Sequence, residues 1–548
     1  MLKALLAPVT FSRLALIAGL CAVSGLAVAP ASFAIPEFDG GFHQTSVGDG
    51  IMKDYLADGV PAEVNLMGFR ERDLLELYEN RNFQPSFWAG FGWDTTLPQA
   101  LEVLANANNH GLSPAEYQSA GMSVAPSLTE GVAQVAAFDA QMTILMARYA
   151  HDVFIGRYNP DPKENGLEVI ARGLPAIGED SQFGDWLAEL GPNTPMYQRM
   201  IELQHSLETA ESAELPFIED GPLLRQGIEH PQVPLLREYF QAAGYFDGEM
   251  SADELQNPLF DETVHNAAIA FQSRNGLAVD GVIGNRTREI MNSGNDDLLP
   301  IVKLNIERLR WEDPLETQRY IRVNIASYRL QAYNDGDKEL DMRVVVGRRS
   351  RPTPILSDRI TNLKFAPDWT VPRSILEADY LSSIRANASY VDSAGFQVKQ
   401  GNSFVSPYSI DWSNPRVSSQ VTLYRPSSSY GPLGGVRFSL TNDQAIYLHD
   451  TPKKYLFEQA ERDRSSGCVR VGEPEALANF ILEETSWSPS QINTAMNGND
   501  TQYARPNDEV QVYLSYMTVW VDDEGDVQRG RDPYDLDEDL LRYFVDEG

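Results

Sequence analysis

Cysteine is nearly absent from this chain: Cys21 and Cys468 are the only two in 548 residues. A multi-disulfide scaffold is therefore excluded. Histidine is scarce as well. The seven are His43, His110, His151, His205, His230, His265 and His449, with no two at helical ligand spacing and no Cys pair to join them. We expect no metal and no cofactor on this basis. Basic residues are also few, 44 Lys and Arg against 78 Asp and Glu, leaving a formal charge of −34. Such a field repels phosphate backbones, so nucleic acid is excluded as a general partner. Heptads, collagen-like periods and low-complexity tracts are missing, and beyond the first thirty or so residues no apolar run is long enough to cross a bilayer. What is present, 43% hydrophobic and 22% charged residues, suffices for roughly three or four packed domains.

The opening segment holds Lys3 and Arg13 but no acid, then the apolar run Leu14 to Val28 and small residues ending in Ala34. This pattern predicts a cleavable secretory signal over 1–34, with Ser32 and Ala34 at the −3 and −1 positions. An uncleaved inner-membrane anchor is the alternative. Cys21 sits in the apolar run and would leave with the signal, so an exported chain would keep one thiol, Cys468.

The periodicity predicts a multidomain α+β protein. Residues 35–235 read as a helical scaffold, with apolar positions three and four apart in Leu74, Leu75, Tyr78 and in Met142, Leu145, Met146, Tyr149. The aromatics Phe83, Phe87, Trp88, Phe91 and Trp93 read as core rather than as a sugar-stacking surface. Residues 236–296 form a small helical unit, with Val264, Ala267, Ala268 and Phe271 on one stripe, a stop at Asn275-Gly276 and Asn285 as a cap. A linking helix covers 297–318. A mainly β, sandwich-like domain follows over 319–521, with a tight turn at Asp335-Gly336 and a partly helical capping insertion over about 370–425. Residues 522–548 carry eleven acids and three basic residues. They read as a solvated acidic tail, in which Leu540, Leu541, Tyr543 and Phe544 could dock as one helical turn.

The segment richest in chemistry is Tyr447-Leu448-His449-Asp450, followed by Ser465-Ser466-Gly467-Cys468-Val469-Arg470. A thiol of ordinary pKa, about 8.5, is mostly protonated at neutral pH and needs a base, a cation or backbone donors to react. His449 offers the base and Arg470 the cation, while the flexible Gly467 lets N–H groups approach a developing oxyanion. Strand alternation places Tyr447 and His449 on one face and Leu448 in the core. Pro474 opens a helix whose Leu477, Phe480 and Ile481 give the thiol a rigid mounting.

The phrase AIAFQSRNGLAVDGVIGNRTREIM resembles the three-helix peptidoglycan-binding module. YLHD with SSGCVRV resembles the active-site signature of L,D-transpeptidases, the YkuD type, and PDWTVPRSI and GPLGGVRFSL support it. The layout is similar to the long periplasmic, YcbB-like branch. Many members have His at the position of Ser466 and Gly at that of Asp450. The resemblance implies Cys468 as nucleophile and His449 as general base and acid. Gly467, Ser466, Ser465 and Arg470 would support the oxyanion or the motif loop, and Tyr447 and Trp369 would border the substrate. It implies donor and acceptor peptidoglycan stem peptides and glycan as partners, 3→3 cross-linking through a thioester, and acylation by carbapenem-type inhibitors. Two alternatives stay open: an L,D-carboxypeptidase or other wall-peptide cysteine hydrolase, and a non-catalytic peptidoglycan-binding scaffold.

Overall fold

The computed structural model describes residues 50–545 apart from 90–91, 94–95, 118–124, 127–129, 175–182, 210–214, 247, 294 and 429–430. The leader, with Cys21, lies outside the described residues, as does Phe91. Two compact units result, one running to Asn106 with Ser113–Met146 and Gly173–Gly184, the other comprising Ala107–Leu112, Ala147–Arg172 and everything from Asp185 onward.

The first unit is helical for the reason its periodicity gives. Helix Glu71–Asn80 buries Leu74, Leu77 and Tyr78 on one face, and Thr96–Ala105 does the same with Leu97, Ala100, Leu101 and Leu104. Phe87 and Trp88 are buried, and Trp93 packs edge-on to Trp88 with ring centroids 4.8 Å apart. These aromatics are core.

Within the second unit, helix Glu262–Arg274 caps on Asp261 and buries Val264, Ala267, Ala268 and Phe271. The next helix, Asn285–Met291, is capped by Gly284 with no side-chain hydrogen bond, so Asn285 is its first residue and not its cap. Buried Gln272 takes over the closing role, donating to Asp280 Oδ1 and the Val282 carbonyl and accepting from the Asp280 and Gly281 N–H groups. The helix expected as a linker, Asn295–Arg310, is a core element. Val302, Ile306 and Leu309 pack against Met517, Val519 and Val521, and its buried Asn305 exchanges hydrogen bonds with Thr518.

The β domain is one curled sheet built on β1 (Tyr320–Asn324), β2 (Arg329–Asn334), β3 (Asp337–Gly347), β4 (Leu356–Ile360), β5 (Asn362–Phe365), β6 (Val436–Ser439), β7 (Leu448–His449), β8 (Val469–Val471), β9 (Gln502–Ala504) and β10 (Val510–Ser515). The strand order is β9-β5-β6-β7-β8-β3-β2-β1-β10-β4, with Asp463–Ser465 added beside β3. Only Thr361 separates β4, at one end of this order, from β5, next to the other end. The sheet therefore rolls until its two halves face each other across a shared core, the closed form of the expected sandwich. Asp335 and Gly336 both have positive φ, 51° and 88°, as a two-residue hairpin with right-handed strand twist requires. Leu448, Val469, Val471, Leu477 and Ile481 meet in the core, each burial contributing about 1.5–3 kcal/mol.

The insertion between β5 and β6 folds as a cap with its own core, including Trp369, Val371, Ile384, Val398 and Leu423. Its sheet runs Ser403–Val405, Gln397–Gln400, Thr422–Arg425, Trp369–Thr370. The acidic C-terminus is no solvated tail. Val519–Val521 and Val527–Arg529 form a hairpin, helix Leu536–Val545 follows, and Tyr534 and Leu540 are buried. Several of its acids have partners: Asp537 pairs with Arg308 at 2.6 Å, Asp526 with Arg274 at 2.9 Å and Asp523 with Arg199 at 3.0 Å, while Asp532 accepts from the Tyr516 hydroxyl at 2.5 Å. Local charge counting missed the ion pairs because these arginines lie far away in sequence.

Candidate active site

Two short parallel strands bring the motif together. β7 and β8 pair Leu448 with Val469 and His449 with Arg470, and the Val469 N–H donates to the Tyr447 carbonyl at 3.1 Å. Two phrases whose His449 and Cys468 stand nineteen positions apart in sequence thus become neighbouring strands. Cys468 ends the turn entering β8, half-buried, with its thiol 3.7 Å from the Ala445 carbonyl.

His449 is buried, and its Nδ1 lies 2.5 Å from the Asp450 carbonyl. A carbonyl only accepts, so Nδ1 carries the proton and Nε2 is left as the basic nitrogen. Burial, then the positive charge of Arg470, pushes the imidazole down to about 4. Burial also pushes the Cys468 thiol up, against the opposing pull of Tyr447, Arg470 and Arg437. The resting pair is consequently neutral thiol and neutral imidazole, not the preformed thiolate that a nearby cation suggests from sequence. Arg470 lowers the thiol less than desolvation raises it.

Tyr447 and His449 share a face as expected, with ring centroids 5.7 Å apart. Burial and the nearby Cys468 sulfur raise the Tyr447 phenol. Trp369, 8% exposed in the cap core, comes close enough to ease that phenol downward, yet its indole N–H completes no hydrogen bond.

The turn itself is pinned by Ser465, whose hydroxyl donates to the Cys468 carbonyl at 2.6 Å and accepts from the Gly467 N–H at 3.1 Å. Thr353 donates to the Gly467 carbonyl at 2.7 Å. Gly467 has φ +117°, and a Cβ there would meet Ile446 Cδ1 at 3.2 Å, so glycine is needed on both counts. Its N–H is engaged by Ser465 and not free for an oxyanion, which corrects the sequence expectation. The Cys468 N–H, by contrast, meets no acceptor among the described residues. Ser466 points to the cap: its hydroxyl lies 3.2 Å from Arg351 Nη1 and 3.5 Å from Asp379 Oδ2. Asp379 in turn pairs with Arg348 and Arg351. The Asp450 carboxylate holds the Gly435 and Thr451 N–H groups and Lys454.

Sequence reading missed Arg437. It stands opposite His449 across β6 and β7, with its guanidinium 5.2 Å from the Tyr447 ring centroid and its Nε unpartnered. Alternation around buried Phe438 marks Arg437 as facing away from the core, but only the strand pairing places it at the site. Arg470 Nε is likewise buried without a partner. Neither guanidinium has an ion pair among the described residues.

Comparison with known proteins fits this geometry. The family model described as "L,D-transpeptidase catalytic domain" matches residues 318–504, with a "Scaffold domain" at 72–203 and a "Putative peptidoglycan binding domain" at 229–291. Residues 318–504 thus match the YkuD family of L,D-transpeptidase catalytic domains. A protein of Haemophilus influenzae named "Putative L,D-transpeptidase" is 34% identical over 253 residues, 46% of this chain and 51% of the relative. The chain thus spans about half the length of that curated relative. Among solved structures, an L,D-transpeptidase from Stackebrandtia nassauensis is 12% identical, covering 55% of this chain and 96% of its own, with a TM-score of 0.22. One from Mycobacterium smegmatis is 12% identical, covering 36% and 59%, with a TM-score of 0.18. The matched region 318–504 holds all eight residues singled out from sequence.

Proposed function

We propose that this L,D-transpeptidase forms 3→3 cross-links between peptidoglycan stem peptides in the periplasm, through a Cys468 thioester. The observation that carries the reading is the delivery, by two adjacent parallel strands, of a thiol and an imidazole whose Nδ1 proton is fixed on the Asp450 carbonyl. His449 Nε2 takes the thiol proton as the sulfur attacks the carbonyl of the third stem residue. The tetrahedral oxyanion faces the free Cys468 N–H. His449 then returns the proton to the departing amine of the terminal D-alanine, leaving the thioester. A side-chain amine of a second stem, relieved of its proton by the same imidazole, expels the sulfur and completes the cross-link. Arg470 and Arg437, each with an unpartnered Nε, offer guanidinium donors to a stem carboxylate. Water in place of the amine gives L,D-carboxypeptidase activity on the same machinery.

Defined disaccharide-tetrapeptides incubated with the exported chain should yield dimers and free D-alanine. Cys468→Ala should give neither, and the wild-type protein should gain the mass of one carbapenem on Cys468. Tripeptide with no dimer would reassign the enzyme as a carboxypeptidase. A folded wild-type chain that takes no adduct and turns nothing over would leave a binding scaffold.

A further inference from the structure

We propose that the outer face of the cap, continued onto the edge of the main sheet, is a stacking strip for the glycan chain of peptidoglycan; this rests on the transpeptidase reading above. Among the described residues from 318 to 530, every strongly exposed large hydrophobic side chain is aromatic, and none is aliphatic. Two of them, Phe404 at 56% and Tyr503 at 62% exposed, mark the ends of the strip.

The pleat of the cap sheet explains its first half. Trp369, Val398 and Leu423 point into the cap core. The register pairs Phe404 and Thr422 with Lys399, and Tyr424 with Thr370, so these side chains share the opposite face. There Lys399 Nζ lies 4.9 Å from the Phe404 ring centroid and 4.1 Å from that of Tyr424, and the two rings are 5.5 Å apart. Asp368 lies near enough to the Tyr424 phenol to raise it, Asp368 pairs with Lys364, and Lys364 Nζ sits 5.5 Å from the Tyr503 centroid. Aromatic and charged groups therefore alternate without a break from the cap to edge strand β9.

Phe404 and Tyr424, inclined at 60° to each other and each contacted by the Lys399 ammonium, lose less freedom when a ligand stacks on them than unrestrained rings would. The C–H face of a pyranose fits such a ring, while the hydroxyl rim of the sugar meets Lys399, Asp368 and Lys364. Charge agrees: in a chain of −34, this strip carries two cations and a single acid that is already paired, which suits a polymer bearing carboxylates. Thr370, across from Tyr424, follows Trp369 along its strand, so the strip lies on the outer face of the cap sheet and Trp369 on the inner one.

Hydroxyl-radical footprinting of the full exported chain carrying Cys468→Ala, with and without peptide-free glycan strands, tests the placement without requiring turnover. Protection of Phe404, Tyr424 and Tyr503 is expected. Protection confined to 229–291, or protection by a protein but not by glycan, overturns the proposal. With Cys468 in place, Phe404→Ala combined with Tyr503→Ala should lower the ratio of turnover on intact sacculi to turnover on free tetrapeptide about tenfold, and an unchanged ratio would also overturn it. A wild-type chain inactive on both substrates would sink the transpeptidase reading, while the footprint still decides the strip.

Discussion

Two clusters of buried polar groups, around Asp139 in the helical unit and around Cys468 in the second, are treated oppositely. In the helical unit, Asp139 is completely buried, and its carboxylate accepts from the Tyr78 hydroxyl at 2.7 Å and from the Ser86 and Phe87 N–H groups at 2.9 and 2.8 Å. Thr143 closes the cluster onto Tyr78 and Ser86. Around Cys468, the Trp369 indole and the Nε atoms of Arg437 and Arg470 have no partner. An orphaned buried donor costs about 1–3 kcal/mol. The first arrangement is a finished structural joint. The second is unfinished, and a substrate carboxylate or carbonyl would complete it.

Removing the acceptor from the finished joint should have the largest effect. Asp139→Ala leaves three buried donors stranded and is expected to destabilise the helical unit by about 3 kcal/mol or more, measured by denaturant unfolding. Burial pushes this carboxyl up to about 6. The folded state thus holds a proton that the unfolded chain has already released, and stability should fall as pH rises from about 4 to 6. The variant should lose that slope. At the unfinished site the opposite is expected. Trp369→Phe removes an orphan donor at little cost to stability, yet should lower kcat/KM about tenfold if substrate completes the indole N–H. A variant that loses stability and keeps its activity would erase the distinction between the two regions.

Sequence alone made the site legible because its chemistry is local: Tyr447 to Asp450 and Ser465 to Arg470 are two contiguous phrases, and alternation aims their side chains correctly. The core stripes of 264–271 and 474–482 were legible for the same reason. What escaped depends on long-range pairing. Arg437 becomes a site residue only through the register of β6 against β7, and the neutral resting state of Cys468 only through the depth of its burial. The C-terminal helix was hidden by its own charge. Its Asp537 faces Arg308, more than two hundred positions away and reached only through the fold. Ser465 was named for support of the oxyanion or the motif loop, and hydrogen bonds on both sides of Gly467 make it the brace of the turn.

The imidazole offers a sharper test by pH. Since His449 is held down to about 4, Nε2 remains available as a base until the pH falls that far. The acid limb of kcat/KM should therefore lie well below the ordinary histidine value of about 6.5. At pH 5.5 an unperturbed histidine would cost about tenfold in rate, whereas here the loss should be under twofold. Arg470→Gln removes one of the charges that hold the imidazole down, so its acid limb should move up toward neutrality. An acid limb at 6.5 in the wild type would mean that the site opens to water before it reacts.

The smallest expected effect concerns the join between the cap and the motif loop. Asp379 reaches from the cap to Arg348 at 3.2 Å and Arg351 at 3.0 Å, with Ser466 beside it. The carboxylate is about 30% exposed and Arg348 41%, so solvent screens both ion pairs and their joint contribution should stay within about 1 kcal/mol. Asp379→Asn keeps the shape while removing the charge. If the pairs help hold the cap over Cys468, the variant should change the rate of carbapenem acylation by no more than about fivefold, and raising wild-type buffer from 0.1 to 1 M salt should shift that rate in the same direction. The variant itself should show little further response to salt. A rate that moves with salt equally in both proteins would place the screened charges elsewhere, on the substrate-facing Arg437 and Arg470, and would tie the salt dependence to the unfinished pocket rather than to its cover.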